Sequence, residues 1–595
     1  MPNKLSQFWQ ELKRRNVIRV VTVYAGAAFV IIELINNVTE PLRLPEWTPT
    51  LVIVLLSIGF PIVIIFSWIY DVHPEKGMVK TAPADMGHAE DIPTSSSSWK
   101  IASYISFVVI VGLVVLNIIP RSDKSESLEK SIAVLPFRND STEPENEYFI
   151  NGTMESILDN LCKIENIRVI ARTSVEQYRN KPMNVSEIAR ELNVSYILEG
   201  SGQRVGNQIR LTVQLIDAIH DDHIWSRQYD REIKDIFFIQ SEIAKSIASE
   251  IRATVTPEVR NRIESEPTKN LQAYNLYLQG RDCLRGPYSR EAIDCSIEFY
   301  KQALDLDPDF ALAYSALAAS YSAYAHSEIL PRSEVMMLAR DAALKALEID
   351  PTLGEAHAEL AWTRIYQDFE WEEGEKGLRA ALQMNPNYAV GRQKYSWLLT
   401  FLERFDESIE QAKYAIELDP LREGYREWLG RAYLYADRYD DAIKEMRGFL
   451  RNYPHNDGCR RWLSVTYLQK GMLQEAREVF SEVKTKGTYW LDGYIYGKIG
   501  ERDKVKEVLA YHLEQSGVRF IKPTDFTVIY AALGDHERAL DYLEQAYQER
   551  EGWLVLLQVE PLYDDLRDEP RFQAIQEKMN FPPIKKLSSG QPMPK

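Results

Sequence analysis

Cysteine is scarce in this chain: four in 595 residues (Cys162, Cys283, Cys295, Cys459), none of them in a Cys-x-x-Cys pair. That excludes a disulfide scaffold and argues against a zinc site. An excess of positive charge is also missing. Lys plus Arg number 70 against 87 Asp plus Glu, a net charge of −17, so the basic face of a nucleic-acid binder is not expected. Glycine is absent where chemistry would need it. Gly152 and Gly200 stand outside any glycine-rich phosphate loop. Ser201 in "EGSGQR" lacks the second glycine of a nucleophile elbow, because Gln203 takes that place. His220, Asp221, Asp222 and His223 form one tetrad of metal-ligand types, but at a predicted turn, and adjacent side chains do not converge on one ion. No catalytic residue, metal site or cofactor follows, and the chain is read as not an enzyme.

What is present, first, is apolar length. Three runs of 19 residues, 17–35, 51–69 and 101–119, fall within the first 120 residues. At ~1.5 Å of rise per residue each reaches across a ~30 Å hydrocarbon core. No small-residue cleavage site follows the first run, so a secretory leader is not expected. Lys4, Lys13, Arg14, Arg15 and Arg19 precede or open the first run; the next loop holds Arg43, and the second loop Lys76, Lys80 and Lys100. The positive-inside rule puts the amino terminus in the cytoplasm and, after three crossings, everything from Arg121 outside; Arg121, Lys124 and Lys130 weaken that signal. Glu33 lies near the outer end of its run beside Asn36 and Asn37, where it reaches the interface rather than marking an ion path.

A second pattern alternates strand and helix over 131–256. Ser131–Phe137, Arg168–Ala171, Tyr196–Arg204 and Ile209–Asp217 read as strands, with His223–Tyr229 as a further one. Tyr148–Lys163, Val185–Leu192 and Ile233–Ala253 read as helices. Gly206-Asn207 suits a two-residue hairpin. "ARTS", 171–174, ends a strand, where it either binds a ligand or caps the next segment.

The third pattern is repetition. Pro351, Pro386, Pro420 and Pro454 are spaced 35, 34 and 34 residues apart, and the unit around Leu429, Gly430, Tyr433, Ala442 and Pro454 carries the tetratricopeptide signature in register. About eight units span 271–552, and 553–595 reads as a capping helix and tail. Each unit is a helix pair that buries its apolar face only by stacking on neighbours. Positions five and nine of the first helices face the concave side. That selects Gln393, Trp397, Glu427, Arg431 and Arg461 (with Val465) as partner-binding candidates. Trp and Arg suit a peptide bearing a carboxylate; a solvated groove with Trp397 packed on the next repeat is the alternative. Cys283 and Cys295 fall opposite each other about "GPYS"; they are either bonded, in an oxidising compartment, or two small buried hydrophobes.

"SIAVLPFRNDS", "EYFINGTMESILDNL", "IRVIARTSVEQY", "YILEGS" and "HIWSRQYDREIKDIFFIQSEIA" together resemble the TolB-like amino-terminal domain, and "FWQELKRRNVIRVVTVYAGAAFVIIEL" resembles the membrane region that often precedes it. The resemblance covers about the first 255 residues. It departs at "GSGQR", where relatives tend to have Val-Arg after Gly-Ser. It implies an interaction module of bacterial envelope and signalling proteins. Some relatives add a nucleotide cyclase or a winged-helix domain, for which no room is expected before residue 17. The expectation is multidomain: transmembrane helices (1–120), a small α/β domain (131–256) and an all-α repeat superhelix. Its expected role is an adaptor in the bacterial inner membrane with periplasmic carboxy-terminal domains, protein or peptide partners and no nucleic acid. The alternatives are a nucleotide- or sugar-binding enzyme or sensor, or a cytoplasmic sensor of reversed topology.

Overall fold

The computed structural model describes residues 17–39, 48–73, 77–80 and 130–583, except 142, 144, 145, 180, 182, 286–288 and 327–331. The chain divides into two compact units, Met1–Pro120 and Arg121–Lys595.

In the first unit, helices α1 (Val17–Thr39) and α2 (Thr48–Ile69) pack together, and strands β1 (Tyr70–His73) and β2 (Gly77–Lys80) form an antiparallel hairpin. Tyr24 locks the helix pair: its hydroxyl donates to the Leu56 carbonyl at 2.6 Å, and its ring lies 5.8 Å from that of Phe60. Gly59 is required there, because a Cβ would meet the Tyr24 hydroxyl at 2.5 Å. Val23, Phe29, Val30, Leu55 and Ile65 point outward. Among the described residues, no helix is long and apolar enough to cross a membrane. The third apolar run and the side chain of Glu33 lie outside the described residues.

The second unit begins with a six-stranded sheet. Strands β3 (Ser131–Val134), β4 (Arg138–Asn139), β5 (Arg168–Val169), β6 (Tyr196–Val205), β7 (Gln208–Asp217) and β8 (Asp222–Glu232) adopt the order β5-β3-β6-β7-β8, with β4 added beside β6. β3 runs parallel to β5 and β6; β6, β7 and β8 form an antiparallel meander. The first predicted strand is shorter than expected: β3 ends at Val134, and the chain resumes pairing at β4 against Ser201 and Gly202. The β6–β7 hairpin turns at Gly206, whose φ of +56° suits glycine. Helices α3 (Glu147–Cys162), α4 (Arg172–Val175), α5 (Val185–Leu192), α6 (Ile236–Glu250) and α7 (Pro257–Glu264) complete the domain. Ile239, Ile243 and Ile247 of α6 join Ile150, Met154 and Ile157 of α3 on one sheet face; Ile188 and Leu192 of α5 cover part of the other. Asn184 caps α5 in a capping box with Glu187.

Helix pairs follow: α8 (Leu271–Cys283) with α9 (Arg290–Leu306), α10 (Ala311–His326) with α11 (Arg332–Ile349), α12 (Gly354–Thr363) with α13 (Trp371–Met384), α14 (Ala389–Phe401) with α15 (Phe405–Leu418), α16 (Glu423–Tyr435) with α17 (Tyr439–Asn452), α18 (Asp457–Gln469) with α19 (Leu473–Ser481), α20 (Trp490–Lys498) with α21 (Arg502–Ser516), and α22 (Pro523–Leu533) with α23 (His536–Gln548). Close packing explains the small residues: a Cβ on Gly430 would meet Met446 of the paired helix at 2.7 Å. Two 3-10 turns, Gly552–Leu556 and Pro561–Leu566, and α24 (Pro570–Lys578) close the chain.

Candidate functional site

The 34-residue offset makes Glu359, Gln393, Glu427 and Arg461 equivalent, and likewise Thr363, Trp397, Arg431 and Val465. The structure links them through an aromatic ladder. Trp397 sits between Trp362, at 5.0 Å, and Trp428, at 5.7 Å. Gln393 is 2% exposed, and neither end of its carboxamide has a hydrogen-bond partner. Glu427 is half-buried, and burial pushes its carboxyl above the usual range against the pull of Arg431.

Arg431 and Arg461 are engaged within the chain. The Arg431 guanidinium lies 4.0 Å from the Trp462 ring, 5.1 Å from Trp428 and 5.3 Å from Trp553. It donates to the Tyr435 hydroxyl at 2.6 Å, which donates to Glu560 at 2.9 Å. Arg461 pairs with Asp492 at 2.6 Å and donates to the Thr485 carbonyl at 2.7 Å. Arg461 and Asp492 are both buried.

Trp553 and Glu560 belong to the carboxy-terminal segment, expected from sequence to be a capping helix and tail. Arg571 of α24 does pair with Asp541 and Glu544 of α23. The segment also runs back through the array. Gly552–Leu556 packs on the helical turn Arg364–Asp368, Trp371 donates its indole N–H to the Met579 carbonyl at 2.9 Å, and Trp371 stacks on Phe581 at 4.6 Å. Leu554, Val555, Leu557, Leu562 and Leu566 are all buried. The acid-and-aromatic composition of 551–566 was the available signal. Its destination was not readable, because it depends on the curvature of the whole array.

A second junction joins the sheet domain to the array. Ser174 of "ARTS" donates to Asp419 Oδ1 at 2.5 Å and accepts from the Leu421 N–H at 3.0 Å; Thr173 donates to the other carboxylate oxygen. The Ala171 N–H donates to the Leu418 carbonyl, and Asn387 accepts from the Val169 N–H while donating to the Cys162 and Ile164 carbonyls. The short edge strand β5 is thereby capped by array residues. Burial raises the Asp419 carboxyl, and the two hydroxyl donors oppose that shift. At the first repeat, buried Glu155 pairs with Arg172 at 2.7 Å and Arg281 at 2.8 Å. Burial alone would raise it, but Arg281 and Arg172 hold it below the ordinary range. Cys283 and Cys295 are bonded, with Cα atoms 6.0 Å apart.

Ser201 lies within β6 opposite Thr212. His220 bonds Asp217 at 3.0 Å in the exposed β7–β8 turn, and among the described residues no group of three or more His, Cys, Asp or Glu side chains is placed to hold a metal.

Residues 397–457 and 429–489 match the model of the tetratricopeptide repeat, and residues 128–245 match the second domain of HilA/YgeH-like transcriptional regulators. A putative adenylate cyclase 3 of Rhizobium meliloti (strain 1021) is 36% identical over 188 residues, 32% of each chain. The transcriptional regulator HilA of Salmonella typhimurium is 20% identical over 296 residues, 49% of this chain and 51% of that protein. The chain thus spans about a third to a half of the length of these curated relatives. Among solved structures, Pseudomonas aeruginosa pilF is 20% identical over 35% of this chain and 91% of its own, with a TM-score of 0.28. YrrB, a TPR protein with an unusual peptide-binding site, is 18% identical over 31% and 91%, with a TM-score of 0.26. The chain is a multidomain protein that joins a small mixed-sheet domain to a tetratricopeptide-repeat superhelix.

Proposed function

We propose that this chain is a membrane-held adaptor that presents a TolB-like sheet domain and a tetratricopeptide array to partner proteins of the bacterial envelope. The observation that carries it is the junction at Asp419, which ties the sheet domain to the array so that both offer one composite surface. Helical repeat arrays expose extended surfaces suited to other proteins. The partner surface in this reading centres on the half-buried Trp397 and Glu427, while the buried Gln393 is interior to it. Arg431 and Arg461 shape it from below, since their charged ends already serve Glu560 and Asp492.

Anchoring at the inner membrane rests on the three apolar runs and on the outward-facing Phe29, Val30, Leu55 and Ile65 of the α1–α2 pair. The Lys and Arg distribution supports a cytoplasmic amino terminus, and the Cys283–Cys295 bond suits a periplasmic array. A reporter active only outside the cytoplasm, fused after Lys595, tests this; activity supports the topology and silence in a well-expressed fusion reverses it. Affinity capture of full-length protein from native membranes tests the adaptor role: specific partners lost with Glu427→Gln support it, and an empty capture refutes it.

The relative described as a putative adenylate cyclase favours a second reading, in which the sheet domain senses a nucleotide or sugar for signalling. A thermal-shift screen of residues 121–595 against nucleotides and sugars separates the two.

A further inference from the structure

The two edges of the six-stranded sheet differ. β5 is capped by the array, where its Val169 N–H donates to Asn387 and the Ala171 N–H to the Leu418 carbonyl. β8 ends the strand order on the other side and, among the described residues, pairs with β7 alone. It is 11 residues long against two in β5. Along it only Tyr229 is buried and only Trp225 half-buried; the rest is exposed. An open edge of that length is a template for another strand. Two of the usual guards are missing or displaced: β8 holds no Pro or Lys, and its bulge lies near its start, at Ile224. The remaining guard is charge, and the charges of β8 are ordered.

The Ile233 N–H donates to the Asn207 carbonyl at 2.9 Å, which fixes the backbone alternation of the strand before it. Arg227, Tyr229 and Arg231 direct their peptide groups at β7. Ser226, Gln228, Asp230 and Glu232 direct theirs outward. Side chains alternate as well. Trp225 and Tyr229 join the core on the α6 side, and Arg227 on that side pairs with Glu242 of α6 at 2.6 Å. Phe238, one helical turn before Glu242 on the same strip of α6, is 56% exposed. Apolar surface thus lies beside the open edge.

We infer that β8 pairs antiparallel with β8 of a second copy of this chain, about a two-fold axis at Gln228, so that one sheet runs through the dimer. Such an axis stands normal to the sheet and keeps each side chain on its own face, so it passes through a residue. The charges select which. An axis at Arg227 sets that arginine on its own copy and Asp222 on Glu232. One at Ser226 sets Asp222 on Asp230, one at Tyr229 sets Arg227 on Arg231, and one at Asp230 sets that aspartate on its own copy. Like charges directly opposite each other are destabilising. An axis at Gln228 opposes none. It sets Ser226 opposite Asp230, Trp225 opposite Arg231 and Arg227 opposite Tyr229, a hydroxyl with a carboxylate and two cations with aromatic rings. The Gln228 carboxamides meet each other, each able to donate and accept. The outward peptide groups of Ser226, Gln228 and Asp230 all gain partners. Backbone pairing alone serves any extended peptide; the self-complementary side chains point to a second copy. The pairing needs neither a membrane nor an outside partner.

Crosslinking of the full chain tests it. In this register the Cα atoms of Gln228 and its own copy lie ~5.5 Å apart, within disulfide reach. Gln228→Cys is expected to give a covalent dimer on oxidation with diamide. Ser226→Cys, which faces Asp230 rather than its own copy, is expected to stay uncrosslinked. The native cysteines do not compete, because Cys283 and Cys295 are bonded and Cys162 and Cys459 are buried. Sedimentation of the full chain is the second readout. Gln228→Pro removes one outward N–H from each copy and leaves the β7 ladder whole, a change that edge strands accept. It is expected to raise the dimer dissociation constant about tenfold or more. No covalent dimer from Gln228→Cys, an equal yield from Ser226→Cys, or a dissociation constant unmoved by Gln228→Pro overturns the inference.

Discussion

The Ser174 hydroxyl meets Asp419 Oδ1 at 2.5 Å, across 245 residues of chain. The same serine accepts from the Leu421 N–H, so one side chain ties the short helix α4 of the sheet domain to the turn between two repeats. "ARTS" thus has its hydroxyls committed to the array rather than to an outside ligand.

Replacing Asp419 with Ala leaves the Ser174 and Thr173 hydroxyls without their acceptor. The expected cost is about 1–3 kcal/mol. Denaturant midpoints measure it, and limited proteolysis should show faster cleavage between the sheet domain and the array. An unchanged midpoint with an unchanged digest would mean the junction contributes nothing.

Arg461→Ala strands the fully buried Asp492 carboxylate, and the expected loss is about 3–5 kcal/mol. Arg438→Ala, which breaks an exposed pair with Asp441, is expected to leave the midpoint in place. Equal effects from the two variants would show that burial is not what distinguishes them. The Arg461 result also matters for partner mapping, because loss of binding in that variant would report unfolding first.

Burial raises the Glu560 carboxyl to about 7, against the pull of Arg431 and the Tyr435 hydroxyl. The folded protein therefore holds this proton over a window in which the unfolded chain, with its ordinary carboxyl near 4.5, has released it. Fewer protons bound in the unfolded state means that this residue's contribution to stability falls as pH rises from about 4.5 to 7. The full swing is on the order of 3 kcal/mol. Other groups facing Glu560 here are Arg567, Tyr563, Tyr494 and Asp525. Chemical denaturation of the parent and Glu560→Gln at pH 5 and pH 8 should show the variant gaining on the parent as pH rises. A constant difference between them would contradict the raised carboxyl.

Non-reducing peptide mapping should join Cys283 to Cys295 and leave Cys162 and Cys459 free but unreactive until the protein unfolds. Both free thiols are buried, and burial raises both. The bond closes a short loop, so its reduction is expected to cost on the order of 3 kcal/mol. Ready alkylation of both bonded positions in native protein would contradict the pairing.

Repeats were legible because their information is local. A 34-residue period, the prolines at 351, 386, 420 and 454 and small residues such as Gly430 specify a helix pair and its neighbour without reference to distant chain. The sheet domain was legible for the same reason: alternation and turn residues located the β6–β7 hairpin, although β3 proved shorter than its apolar run, because the chain leaves β6 after Leu135, whose N–H still donates to the Leu198 carbonyl, and rejoins it at β4. Gln393, Trp397, Glu427, Arg431 and Arg461 are expected on the concave side from the period alone.

Periodicity could place Arg431 on the inner face but could not say what it meets. Its neighbour Glu560 is 129 residues away and arrives only after the array has curved far enough for 551–581 to return through it. Ser174 and Asp419 likewise come together only when the sheet domain lies along the turns of the array. Repeat geometry is set by contacts within and between adjacent units, so sequence determined the repeat modules and the row of equivalent positions along their first helices. Tertiary structure decided what fills that face, because small rotations add up over successive repeats before two distant segments can touch.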